Sequence, residues 1–185
     1  MPHLEPGSKL LYTWSLPGVA RRFTLRRDAL GFILMWMILR YNDLVERLDG
    51  PGNDPVDEGG YNDRHIAGTS TWSLHAYGQA DDLNWNKHPS NTPTAHSFTR
   101  AQIKMVHATL AIVNRIAGGK MAEWGGDWPS HPGSTAKTDS MHHQINVGFA
   151  NAAYRRVAAV LAQTPRGRRI IKANPKNLDY KKVML

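Results

Sequence analysis

The sequence predicts an α+β fold, with helices gathered around a few short strands. Three observations point there. An apolar run at helical spacing extends from Arg26 to Leu48, and two further helical segments follow at Thr99 to Ala117 and Gly148 to Gln163. The strand-like stretches between them are short and scattered, and they do not alternate with helices as a doubly wound sheet requires. The 185 residues and a hydrophobic fraction of 41% suit one packed domain spanning residues 1–185.

In chain order, residues 1–22 are punctuated by Pro and Gly and are expected to wrap the surface. In the first helix, Leu30, Ile33, Leu34, Met37, Ile38, Tyr41, Leu44, Val45 and Leu48 form the apolar stripe, with Glu46 and Arg47 on the polar side. Gly50-Pro51-Gly52 stops it, and a polar loop runs to Gly60. Tyr61 to Gly68 reads as a short strand entering a turn, and residues 69–86 as a turn followed by a strand. A loop with Pro89 and Pro93 leads to the second helix. Ser97 or Thr99 caps that helix, Ile103, Val106, Leu110, Val113 and Ile116 form its stripe, and Gly118-Gly119 ends it. Residues 120–138 read as a Trp/Gly/Pro-rich loop, His142 to Val147 as a strand, and residues 165–185 as a basic tail.

Composition removes several function classes. There are no cysteines, which excludes a disulfide framework, a thiolate nucleophile and a Cys-ligated metal. A formal charge of +8 predicts attraction to polyanions without naming one. No helix interleaves Arg/Lys with aromatics in a reading pattern, so nucleic acid is not the expected partner. The longest apolar run, Ala29 to Leu39, has 11 residues, short of the roughly 20 that span a bilayer. Met1-Pro2-His3-Leu4-Glu5 lacks the basic-then-apolar pattern of a leader, so the chain is expected to be made in the cytoplasm without a signal peptide.

Two clusters carry chemistry. The first is Ser73-Leu74-His75-Ala76-Tyr77-Gly78-Gln79-Ala80-Asp81-Asp82, in which Gly78 allows the chain to bend so that His75 and Asp82 meet. If residues 80–84 are extended, Asp82 points into the site and Asp81 away from it. Alone, this pair also fits a surface histidine beside a solvated acidic pair. The second cluster is Asp139-Ser140-Met141-His142-His143-Gln144. In a strand, His142 and Gln144 share one face, while Met141, His143 and Ile145 share the other, which belongs to a core. Asp139 is then either a cap or a carboxylate within reach of the same site. Together the clusters supply two imidazoles and one carboxylate, the ligand count of a catalytic zinc site, with a spare carboxylate for proton transfer. His3, His65, His88, His96, His107 and His131 have no partners at zinc spacing and read as surface or structural.

These motifs resemble a known family. Ser-x-His-x-x-Gly-x-Ala-x-Asp at 73–82, Trp124-Gly125-Gly126-Asp127-Trp128 and Asp-x-x-His at 139–142 are similar to the D-Ala-D-Ala carboxypeptidase and L-alanyl-D-glutamate peptidase family, which includes VanY-type enzymes and phage endolysins. Gly60-Tyr61-x-x-Arg64-x-Ile66-x-Gly68 extends the likeness upstream. The resemblance implies a hedgehog/DD-peptidase-like domain, a small antiparallel sheet with flanking helices. It implies one Zn2+ held by His75, Asp82 and His142, with Asp139 as general base and Arg64 on the oxyanion. Ser73 and Trp128 would line the substrate cleft. The family usually places an aromatic residue after the last ligand, where this chain has His143, structural or near the metal. The expected substrate is the peptidoglycan stem peptide in an anionic cell wall, cut as an endolysin cuts it, by a monomer. The alternatives are removal of the terminal D-Ala and a noncatalytic wall-binding domain.

Overall fold

The computed structural model describes residues 3–48, 56–128 and 137–177. It is α+β as expected, with two small antiparallel sheets and five helices among the described residues.

The chain begins with a hairpin, not with a surface wrap. Strand β1 (Leu11–Ser15) pairs in antiparallel register with β2 (Arg22–Arg26), from Leu11 opposite Arg26 to Ser15 opposite Arg22. Alternation explains the pairing: Trp14, Phe23 and Leu25 face inward and are fully buried, and the Trp14 indole N–H donates to the Arg26 carbonyl at 2.9 Å. Residues 22–26 are thereby taken by a strand, so helix α1 spans Ala29–Leu44 and not Arg26 to Leu48. Asp28 caps it by accepting from Leu30 N–H at 3.1 Å.

Helix α1 is the centre of the molecule. From Ala29 to Leu39 every residue is buried, so the expected one-sided stripe is a helix enclosed on all faces, and stripe member Leu44 is 41% exposed. It packs against β2 and against segments described below, residues 100–117, 142–145, 151–162 and 165–173.

The segment expected as a strand at Tyr61 to Gly68 forms no ladder. Its backbone N–H groups go to separate partners, Tyr61 to Thr24 O and Asn62 to His75 O, and only isolated bridges at Gly59–Asp82 and His65–Trp72 remain. A 3-10 turn at Leu74–Tyr77 follows, ended by Gly78 at φ 64°, the left-handed conformation that a glycine supplies without strain. Strand β3 is Ala80–Asp82. A four-residue helix α2 (Thr94–Ser97) interrupts the expected loop, and α3 (Arg100–Ala117) starts from a complete Thr99/Gln102 capping box.

Strand β4 (Ala122–Trp124) lies within the segment expected to be loop, and β5 (His142–Ile145) pairs with it on one side and with β3 on the other. Helix α4 is Asn151–Ala162. The expected basic tail is instead helical at its start: α5 (Pro165–Ala173) has Thr164 as N-cap, Pro165 at its first position, and a buried Gly167 and Ile170 against the core. His131, Lys181 and Lys182 lie outside the described residues. No helix among the described residues is long and apolar enough to cross a membrane.

Candidate metal centre and cleft

The three-stranded sheet β3-β5-β4 brings the two distant motifs together. Asp82 lies opposite His142, and Asp81 opposite His143. Because side chains alternate along a strand, the two pairs point to opposite faces of the sheet. His75 reaches the Asp82–His142 face from the 3-10 turn, which the Ser73 Oγ caps by accepting from His75 N–H at 3.3 Å. Ser73, expected at the substrate cleft, is buried with its Oγ committed to this cap.

His75, Asp82 and His142 each offer a ligand atom, and these atoms all lie within 4.8 Å of one another. His75 Nε2 is 3.1 Å from His142 Nδ1 and 3.3 Å from Asp82 Oδ2, and His142 Nδ1 is 3.1 Å from Asp82 Oδ1. The outer nitrogen of each ring fixes its tautomer. His75 Nδ1 lies 2.6 Å from the Gly60 carbonyl oxygen, which only accepts, so Nδ1 carries the proton. His142 Nε2 donates to Gln144 Oε1 at 3.0 Å, and that amide is oriented by its own Nε2, which donates to Asn146 Oδ1 at 2.7 Å and Glu123 Oε2 at 3.2 Å. Both inner nitrogens therefore present lone pairs toward a carboxylate. Three acceptors this close repel unless a cation lies among them, and two imidazoles with one carboxylate are the donor set that divalent zinc favours.

Electrostatics show the same demand for positive charge at this point. With no cation present a proton takes its place: burial opposes the charge on Asp82, but hydrogen bonds from the doubly protonated rings of His142 and His75 outweigh it and hold its carboxyl far below the ordinary range. Burial also opposes protonation of His75, yet Asp82 and the Gly60 carbonyl raise its pKa above the ordinary value.

Asp139 stands beside this cluster. Its carbonyl accepts from His142 N–H at 3.0 Å, and its own N–H donates to Gly125 O at 3.0 Å. The approach is so close that a Cβ on Gly125 would fall 2.4 Å from the Asp139 carbonyl oxygen, which accounts for glycine there. Burial raises the Asp139 pKa, and its Oδ1 is buried without a hydrogen-bond partner among the described residues. The carboxyl opens on a cleft of ≈ 540 Å³ whose walls include Arg64, Ile66, Ser90, Trp128, Lys137 and Met141. Arg64, 43% exposed, sits 3.9 Å from Asp82 Oδ2 rather than pairing with Asp63 or Glu58. The Trp128 ring is 5.2 Å from that of His142. Met141, expected in the core, lines the cleft instead.

His143 faces away from the cluster. It is buried against Tyr41 and Trp124, with Nδ1 3.3 Å from Asp81 Oδ1. Sequence reasoning missed Gly60 and Ser90, which hydrogen-bonds Asp139. It placed Gln144 on the His142 face without giving it a role, though that shared face was the available clue.

Residues 67–145 match a family model described as D-alanyl-D-alanine carboxypeptidase. The span holds His75, Asp82, Trp128, Asp139 and His142 but stops short of Arg64. No curated protein and no solved structure matches the chain. The family match supports a peptidase that acts on peptidoglycan.

Proposed function

We propose that the chain is a zinc peptidase that hydrolyses an amide bond of the peptidoglycan stem peptide, and that it does so as an L-alanyl-D-glutamate endopeptidase of the endolysin kind. One observation carries this: three lone-pair donors converge next to a partly buried carboxylate, that of Asp139, at the edge of a cleft. His75, Asp82 and His142 would hold the ion. The chemistry zinc supplies in such a site is acidification of a water to a pKa near about 7 and polarisation of a carbonyl.

The Asp139 carboxylate takes a proton from the attacking water and delivers it to the leaving nitrogen as the C–N bond breaks and a C–O bond forms. Its raised pKa suits both halves of that transfer. The Arg64 guanidinium stabilises the negative charge that develops on the carbonyl oxygen. Trp128, in the cleft wall, packs the peptide. The net positive charge draws the enzyme to the anionic wall.

The family description favours a second reading, removal of the terminal D-Ala. Digestion of purified wall, with new termini identified by mass spectrometry, separates the two. Free L-Ala carboxyl and D-Glu amine termini are expected. Free D-Ala would replace this reading with the carboxypeptidase, and no product would reduce the chain to a binding module. In the same assay, Asp139→Ala should keep its metal and lose at least about 100-fold in turnover, the scale of a general base. Full activity in that variant would remove Asp139 from the mechanism.

A further inference from the structure

The positive charge of this chain is not spread evenly along it. Between Ser140 and Asn177 the sequence has seven Lys and Arg and no Asp or Glu. Everywhere else it is nearly balanced, with 16 Lys and Arg against 15 Asp and Glu. Almost the whole formal charge of +8 is therefore carried by α4, α5 and the residues just after them. Helix stability does not account for this. Neither helix has a carboxylate in its first turn, where the helix dipole favours one, and in α5 Arg166 stands second, against that preference. Ion pairing neutralises little, since Arg166 Nε and Arg169 Nη1 share one oxygen, Asp43 Oδ2, at 2.8 and 3.1 Å. Burial and then the Arg166 charge lower the pKa of Arg40, so the crowding of cations is felt within the molecule.

The cations without an acidic partner form one stripe. Arg156, Val160 and Gln163 recur at helical spacing and are exposed on α4. Arg168 of α5 donates to the Gln163 carbonyl at the end of α4, and Lys172 stands one turn further along the same face of α5. Arg156 donates to Ala117 O at 3.0 Å, and neither carbonyl carries a full charge to cancel a guanidinium. Arg156, Arg168 and Lys172 have no ion pair among the described residues, and none of them lines the cleft. The stripe offers little besides charge. Tyr154, the aromatic residue of 151–177, is 7% exposed with its hydroxyl donating to Asn146 O, so no ring is presented for a base to stack on. Val160 is the one large apolar side chain exposed there among the described residues, too little to enter a membrane surface.

We propose that the exposed face of α4 and α5 is a docking surface for a flexible phosphodiester polymer of the cell wall, and that it holds the chain on its substrate. Arg156, Arg168 and Lys172 contact successive phosphates, and recognition is by charge, without base or acyl-chain contacts. The choice of a wall polymer rests on the peptidase reading given above.

The test is calorimetric titration of the full chain with poly(glycerol phosphate), which contains no peptide, so that binding is read apart from hydrolysis. Affinity is expected to fall as salt rises, because each phosphate contact releases counterions. The double variant Arg168→Gln/Lys172→Gln should weaken binding by about tenfold or more and make the salt dependence shallower by about two contacts. The double variant Arg100→Gln/Lys104→Gln removes the same charge at the same spacing from the exposed start of α3. It should leave affinity within about twofold, because salt screens charges that lie off the docking face. The first double variant should also keep cleavage of a soluble stem peptide and slow that of polymer-bearing wall. Absence of binding, or equal losses in the two double variants, would overturn the proposal. Tighter binding of duplex DNA or of phosphatidylglycerol vesicles than of the polymer would overturn it as well. A chain that binds the polymer through Arg168 and Lys172 yet cleaves no wall would remove the peptidase reading and leave the phosphodiester site standing.

Discussion

His142 shows how much of the proposed metal centre is decided one bond beyond its ligands. Its Nδ1 offers a lone pair only because Nε2 gives its proton to Gln144. Replacing Gln144 with Leu removes that acceptor and frees the ring to adopt the other tautomer. Metal affinity should fall by about 10–100-fold, the usual cost of losing an orienting partner, read by competition with a chelator of known strength. The same cluster sets a pH signature. In the metal-free protein the His75 pKa is raised above 6.5, so the stability it contributes is complete below 6.5 and is lost as pH rises through the higher folded value. Asp82 is shifted down from 3.8, so its contribution is present above 3.8 and lost only in stronger acid. Metal-free protein should therefore be most stable between those two values and melt lower at pH 8. Zinc, which binds the unprotonated rings, should reverse the trend. Glu58, raised by burial from 4.5 to about 7, also weakens the fold as pH climbs, but it does so with or without metal. The difference between metal-free and zinc-loaded melting curves thus isolates the cluster, and a difference independent of pH would remove His75 from it.

Strand β5 is the element on which the site turns, because its two faces do different work. Asp82 and His142 meet on one face while Asp81 and His143 meet on the other, against Tyr41 and Trp124. Burial raises the Asp81 pKa, so this pair is costly to leave half-made. His143→Phe should lower stability by about 3 kcal/mol in chemical denaturation yet keep bound metal, and adding Asp81→Leu should restore much of the loss. Loss of the metal in the single variant would mean that His143, not His142, is the ligand. This division of faces was readable in advance, since alternation alone separates His142 from His143 and Asp82 from Asp81. What tells the tautomers apart was not, because one determinant is the backbone carbonyl of Gly60, which no side-chain pattern announces. Short elements escaped for a related reason. Three residues of β4 offer too little alternation to stand out, and the α5 cap pair Thr164-Pro165 was masked by the charge that follows it.

At the scale of the molecule, the C-terminal part of the described chain closes on α1 and on the residues just before it. The indole N–H of Trp36 in α1 donates to Thr164 Oγ1 at 2.9 Å, and Asn177 Nδ2 donates to the Arg27 carbonyl at 3.1 Å. Asn174 joins α5 to the first hairpin. Its Oδ1 accepts from Ser15 N–H at 2.8 Å, and its Nδ2 donates to the carbonyls of Ser15 at 3.0 Å and Ile170 at 2.9 Å. One side chain, 1% exposed, thus satisfies both backbone groups of an edge residue in β1, as a neighbouring strand would. A solvated basic tail could be removed without consequence, whereas this segment seals a sheet edge and covers the core at Ile170. Asn174→Ala leaves both Ser15 groups without a protein partner, so it should cost about 2 kcal/mol. That loss should appear as a lower denaturant midpoint at unchanged slope, with metal content and wall hydrolysis retained at temperatures where the variant is folded. An unchanged midpoint would return residues 165–177 to the role of a dispensable tail and leave α1 held by β2, β5, α3 and α4.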